Sequence, residues 1–331
     1  MKLQPSSLPG QIFGIRDKAG FERVALEVFA FQFAHNPVYA AWCKALGSTP
    51  ARVMRLEDIP FLPISFFKSH EVKAFEGRPQ QIFSSSGTTG SATSRHLVAN
   101  VSVYEKSFLE AFMQFYGNPE DYCILALLPG YLERSGSSLV YMAQSLIERS
   151  GHPLSGFYLH NLEQLSQHLG QLMQAGQKVL LLGVSFALLD MAEQYPMKLK
   201  NTIVMETGGM KGRRREMIRE ALHQVLCQAF GLEVIHSEYG MTELLSQAYS
   251  QGNGIFHCPP WMRVLTRDSN DPLSIHEGQR AGGINVIDLA NVYSCSFIAT
   301  EDLGRIHAGG SFEVLGRFDH SDVRGCNLMV E

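Results

Sequence analysis

The chain has 331 residues, of which 45% are hydrophobic and 18% charged, with a formal net charge of -4. That size and balance describe a globular protein with a sizeable core, and they exclude a polybasic footprint for nucleic acid or for a membrane surface. The six cysteines (Cys43, Cys123, Cys227, Cys258, Cys295 and Cys326) are scattered singly, which argues against zinc knuckles and thioredoxin motifs.

Residues 1–80 read as an N-terminal helical and irregular segment packed on the core. Apolar groups at helical spacing (Phe21, Val24, Ala25, Val28, Phe29) predict a helix that Asn36-Pro37 interrupts. Residues 57–80 hold Pro60, Pro63 and Pro79 and predict irregular structure. Residues 81–331 read as an α/β domain ending in a short tail, the two parts forming one structural unit. Apolar runs at 81–83, 123–127, 178–182, 202–205 and 234–236 alternate with amphipathic stretches near 102–116, 136–150, 161–175, 185–194 and 212–230. Such alternation implies a parallel sheet covered on both faces. Past residue 255 the helical period disappears. Segments 261–266, 283–288, 293–299 and 311–316 predict a mixed or antiparallel β portion. The longest apolar run, 179–192, is too short for a bilayer span, and the N-terminus has no signal-peptide pattern. A cytoplasmic protein without stable membrane insertion or a nucleic-acid partner is expected.

Ser84-Ser85-Ser86-Gly87-Thr88-Thr89-Gly90 follows the first of these runs. Glycines let backbone N–H groups converge on an anion, and hydroxyls add donors. The Walker pattern G-x-x-x-x-G-K-[ST] is absent. By composition alone the segment fits a phosphate loop and a flexible polar loop equally well. The basic run Lys211-Gly212-Arg213-Arg214-Arg215 likewise fits a solvated helix start or a phosphate contact. Without further context, Glu238-Tyr239-Gly240-Met241-Thr242-Glu243 reads as a capped helix start with Thr242 as N-cap. Gly183-Val184-Ser185-Phe186-Ala187 has the strand-to-helix setting of a nucleophile elbow, with Asp288 and His307 in a permitted order. Its fifth position is Ala187 where that motif has glycine.

Ser-Gly-Thr-Thr-Gly resembles the phosphate loop of the adenylate-forming superfamily, and further landmarks follow in that family's order. They are Gly208-Gly209-Met210, the Tyr239–Glu243 block, Thr300-Glu301-Asp302-Leu303-Gly304 and Gly316-Arg317-Phe318-Asp319. The segments 128–139 and 205–212 and the ending Arg324-Gly325-Cys326 narrow the resemblance to the LuxE-type acyl-protein synthetases. This implies an adenylate-forming α/β fold, with parallel sheets flanked by helices and without the superfamily's usual C-terminal domain. It implies ATP-dependent activation of a carboxylic acid, in that branch a fatty acid, to an acyl-adenylate. Transfer of the acyl group to a protein thiol follows, with an acyl-CoA reductase-like subunit as a further acceptor.

By the same resemblance Ser85, Ser86, Gly87, Thr88, Thr89 and Gly90 clasp ATP phosphates. Gly208, Gly209, Met210, Glu238, Tyr239, Gly240 and Met241 line the nucleotide. Thr242 donates to the α-phosphate, Glu243 holds Mg²⁺, Asp302 accepts from the ribose hydroxyls, and Arg317 contacts ribose or phosphate. Cys326 is the acyl acceptor. Two departures stand out: the lysine usual after the loop is absent, leaving Arg95 to supply charge, and Asp322-Val323 replaces Ile-Lys; Thr242, the 84–90 loop and Lys211 or Arg213 would share the work of the C-terminal-domain lysine. The alternatives carried with this reading are an acyl- or aryl-CoA ligase, a non-catalytic nucleotide-binding subunit and a serine acyltransferase.

Overall fold

The computed structural model describes residues 8–85, 93–128, 136–159, 161–209, 217–276 and 278–318. The expectations placed on Ser86–Gly90, Met210, Lys211, Arg213 and the segment from Asp319 to Cys326 therefore lie outside the described residues.

Helix α1 (Leu8–Phe13) leads into α2 (Lys18–His35). Asp17 caps α2 by accepting the Gly20 N–H at 2.7 Å. The helix buries Phe21, Val24, Ala25, Val28 and Phe29, the apolar face expected from their spacing. Asn36 closes α2 and opens α3 (Pro37–Ala45): its side-chain oxygen takes the Tyr39 N–H, while Pro37 stands at a position whose N–H is not needed. Beyond a 3-10 turn at Leu56–Asp58 lie β1 (Leu62–Pro63) and α4 (Phe66–Ser69).

Strands β2 (Gln81–Ser84) and β3 (Arg95–Val98) form their own antiparallel pair. This corrects the placement of 81–83 in the parallel sheet. Only Phe83 of β2 is fully buried, a pattern suited to one covered face rather than two. Helix α5 (Val101–Tyr116) starts at Asn100, which accepts from the Ser102 N–H.

The parallel block then builds as expected: β4 (Cys123–Leu127), α6 (Ser138–Ser150), β5 (Gly156–Phe157), α7 (Leu162–Gln174), β6 (Val179–Gly183), α8 (Ser185–Gln194), β7 (Thr202–Glu206), α9 (Arg219–Phe230) and β8 (His236–Tyr239). Every residue of β4 and β6 is buried, as strands covered on both faces require. The antiparallel part follows with β9 (Ala248–Ser250), β10 (Ile255–His257), β11 (Met262–Arg267), β12 (Ala281–Asp288), β13 (Phe297–Ile306) and β14 (Phe312–Arg317).

Among the described residues these strands join into one mixed sheet, in the order β11-β12-β13-β14-β10-β9-β8-β7-β6-β4-β5, with β1 parallel to β13. Strands β5, β4, β6, β7 and β8 run parallel, and direction reverses at β9. The strand expected over 293–299 starts later, at Phe297. Residues 289–291 form a 3-10 turn capped by the buried Asp288, which accepts the Ala290 N–H. The N-terminal helices reach this turn directly: the Gln32 amide donates to Asn291 O at 2.9 Å, and the Asn36 amide to Ser294 O at 2.9 Å.

Candidate active site

Side chains alternate along a strand, so β8 sends Glu238 and Tyr239 to opposite faces. Tyr239 packs on Phe256 and Phe312, and its hydroxyl donates to Asp302 Oδ2 at 2.8 Å. Arg317 Nε donates to Asp302 Oδ1 at 3.1 Å. The sheet delivers this contact itself, because Asp302 and Arg317 are direct partners in the β13–β14 register. Thr300 Oγ1 takes the Asp302 N–H and donates to Ile284 O. Burial and the Asp302 charge push the Tyr239 hydroxyl well above the usual tyrosine range, so it stays a donor. Each Asp302 oxygen holds one donor and keeps lone-pair capacity for another, as recognition of a diol requires.

Beyond Tyr239 the chain turns sharply. Leu244 N–H reaches Met241 O, and the backbone runs straight into β9. No helix starts at Thr242, which corrects its expected N-cap role. The reason is Asp288: its carboxylate takes the Leu245 and Ser246 N–H groups at 2.7 and 3.0 Å and pulls the chain into the antiparallel strand. Met241 and Thr242 are half-buried and Glu243 is buried. Burial raises the Glu243 carboxyl above its ordinary range, opposed by a hydrogen bond from Ser94 and the charges of Lys68 and Arg317. A buried carboxyl met, among the described residues, by the Ser94 side chain, its own backbone N–H and more distant cations fits Mg²⁺, a hard cation that takes one or two carboxylates and completes its shell with phosphate oxygens and water.

The base of the Ser/Gly loop meets this turn. Ser85 N–H donates to Ser94 O at 3.1 Å, and Ser94 N–H returns to Ser85 Oγ at 2.9 Å. Ser94 stands just before β3, two residues ahead of His96. His96 Nδ1 lies 2.8 Å from Thr242 O.

At the end of β7, Gly208 and Gly209 have φ of 73° and 91°, a region glycine occupies without a Cβ penalty. Glu206 fixes this bend, a role the sequence reading did not assign. Its Oε2 takes the Gly208 N–H at 2.7 Å and the Ser185 hydroxyl at 3.2 Å, and its Oε1 takes Arg219 Nε at 3.3 Å. Burial opposes ionisation of Glu206, but His223, Arg219, Ser237 and the Gly208 amide outweigh it and hold the carboxyl at about 2. An acidic residue closing an apolar strand was the available signal.

Glu238 lies away from Tyr239 and Asp302. It faces Tyr249 across the β8–β9 pair, and its carboxyl folds over Gly240, where an added Cβ would strike Oε1. Burial and the charge of Glu206 raise it to about 8. The structure thus gathers Tyr239, Asp302 and Arg317 in one hydrogen-bonded group, with Glu243, Ser94 and Ser85 beside it. The serine-nucleophile alternative finds no triad here: Ser185 is buried and bonded to Glu206, Asp288 is occupied by backbone amides, and His307 faces Glu313.

The family described as "Acyl-protein synthetase, LuxE" matches residues 16–331. The chain belongs to this family. No curated protein sequence matches it. Among solved structures, 2-hydroxyisobutyryl-CoA ligase in complex with 2-HIB-AMP and CoA is similar, with 13% identity, 97% of this chain and 73% of that chain covered, and a TM-score of 0.69. ATP-bound MatB from Rhodopseudomonas palustris is similar at 18% identity, 85% and 58% coverage, and a TM-score of 0.54. At such identities the likeness is one of fold. This acyl-protein synthetase family member therefore has the fold of the adenylate-forming ligases, and family and fold together place it among ligases that work through an acyl-adenylate.

Proposed function

We propose that this chain activates a carboxylic acid, of the fatty acyl class, with ATP and passes the acyl group to a protein thiol. The observation that carries the proposal is the Tyr239–Asp302–Arg317 group beside the Thr242–Glu243 turn. It supports a ribose-and-phosphate site: Asp302 accepts from the ribose hydroxyls, Arg317 neutralises phosphate, and the Gly208-Gly209 backbone passes along the base. Ser85 opens the phosphate loop, whose remaining members are Ser86–Gly90, and Met210, Gly240 and Met241 complete the nucleotide surround. Residues 1–80 and 81–331 act as one unit in this reading.

The substrate carboxylate attacks the α-phosphorus, the bond to the β-phosphate oxygen breaks, and pyrophosphate leaves. The carboxylate is already ionised, so no general base is needed, and the work is alignment and charge stabilisation. Glu243 would hold Mg²⁺, which supplies Lewis-acid charge at the phosphates. Thr242 donates at the α-phosphate. In the second half-reaction a thiolate attacks the acyl carbon and AMP departs with the bonding pair. Cys326 is the proposed first acceptor and an acyl-CoA reductase-like protein the next. The family description, with its acyl-protein product, supports this order.

Pyrophosphate exchange across a series of acids tests the activation step, and intact-mass measurement tests the transfer. Acyl mass is expected on the wild-type protein, removable by hydroxylamine and absent from Cys326→Ala. Acyl mass retained on that variant refutes self-acylation at Cys326. Product that forms only with added CoA marks a CoA ligase instead.

A further inference from the structure

The Thr242–Glu243 turn exposes two successive carbonyl oxygens to the protein interior, where an unpaired backbone acceptor is unfavourable. Each is met by one side-chain donor, and each donor arrives from a different part of the chain. His96 Nδ1 lies 2.8 Å from Thr242 O. Asn291 Nδ2 donates to Glu243 O at 2.7 Å. Both side chains are fully buried. A ring nitrogen this close to a carbonyl carries the proton. Burial lowers the ring to about 4, so His96 is neutral near pH 7.

We infer that His96 and Asn291 are positioning residues that hold the main chain of the Thr242–Glu243 turn and tie it to the strand leaving the Ser/Gly loop. The inference rests on the nucleotide-site reading of that turn. Ser94 reinforces it: just ahead of β3, it hydrogen-bonds the Glu243 side chain while its backbone pairs with Ser85 at the loop base. The segment Ser94–His96 therefore holds the turn at two atoms, the Thr242 carbonyl through His96 and the Glu243 carboxyl through Ser94. A shift of the loop base is passed to both. Asn291 anchors the far side, from a turn that Asp288 caps and Gln32 braces.

Three substitutions separate positioning from packing. Asparagine at 96 puts an amide nitrogen where Nδ1 sits, and glutamine puts it where Nε2 sits. Leucine keeps apolar volume and no donor. We expect His96→Asn to keep kcat/KM for ATP within about threefold of wild type in pyrophosphate exchange. His96→Gln and His96→Leu are expected to lose about 100-fold, the scale of a misplacement near 1 Å, with KM for the acid unchanged. Asn291→Leu should resemble His96→Leu. Amide hydrogen exchange gives a readout independent of activity: the Leu244 and Leu245 amides should exchange faster in the Gln and Leu variants and as in wild type in the Asn variant. Leu244 and Leu245 amides that exchange no faster in the leucine variant than in the asparagine variant overturn the inference. Wild-type protein without ATP-dependent activity refutes the functional reading alone, and the exchange ranking still decides the role of His96 and Asn291.

Discussion

Glu238 offers a sharp test of the electrostatics around β8. Its carboxyl is partly buried, faces Tyr249 across the strand pair and feels the charge of Glu206. Burial first, and then that charge, raise it from 4.5 to about 8. A carboxyl raised in the folded state binds its proton more tightly there than in the unfolded chain. Its favourable contribution is whole below 4.5 and is lost as pH climbs through 8. The interval corresponds to about 5 kcal/mol above pH 8 and about 3 kcal/mol at pH 7. Water reaches part of the group and screens it, so about 2 kcal/mol is the expected net penalty at pH 9.

Glu238→Gln removes the charge and keeps the shape. Unfolding entropy for a chain this long turns about 2 kcal/mol into a melting-temperature gain of about 3 °C. Thermal unfolding of wild type and variant at pH 5, 7 and 9 should show near coincidence at pH 5 and a gap that widens with pH, the variant being the more stable. A gap that does not change between pH 5 and 9, or a less stable variant at pH 9, refutes the account of Glu238 as a strained acid.

Glu206→Gln should act in the opposite sense. Its carboxyl, held at about 2 by His223 and Arg219 against the effect of burial, stabilises the fold above 4.5 and loses that effect as pH falls toward 2. Urea unfolding should therefore show a loss of about 3 kcal/mol at pH 7 that shrinks below pH 4.5. At Gly208 an added Cβ meets nothing within 4 Å, so Gly208→Ala tests backbone strain alone. A loss of about 1–2 kcal/mol is expected by thermal unfolding, with Gly208→Asn losing less because asparagine tolerates the left-handed region. Asp302→Asn weakens the charge-assisted contacts to Tyr239 and Arg317. It should raise KM for ATP in pyrophosphate exchange by about 10–100-fold, the equivalent of 1.5–3 kcal/mol.

The parallel half of the fold is legible because β4 and β6 are apolar runs, and β7 has an apolar centre at Ile203–Met205, each bounded by amphipathic helices. The hairpin β2–β3 was not. Arg95–Val98 carries two polar residues and follows a Gly/Ser loop, so only its pairing with Gln81–Ser84 makes it a strand. Ala248–Ser250 was missed because three residues carry no period. The start of β13 was misplaced because a buried Asp288 converts Leu289–Asn291 into a turn, and no local pattern signals a buried carboxylate. At the candidate site, Tyr239, Asp302 and Arg317 lay in ordered motifs, and the fold brings them together. Local sequence leaves a helix cap open as the alternative at Thr242, because the Asp288 grip on Leu245 and Ser246 is non-local. His96 and Asn291 gave no signal: His96 meets a carbonyl 146 residues away, and a lone histidine in a short strand looks like any other core residue.

Gln32 gives the N-terminal helix a reach that its distance in sequence conceals. One bond joins its amide to the Asn291 carbonyl, and a second joins the Asn291 amide to the Glu243 carbonyl. Two hydrogen bonds thus connect the interior of α2 to the residue proposed to carry the metal. In engineering terms, α2 is a buttress and a poor place to cut. A shortened chain that still expressed well would have lost the support behind the residue proposed to carry the metal, and low turnover with an intact sheet would be the signature of that loss.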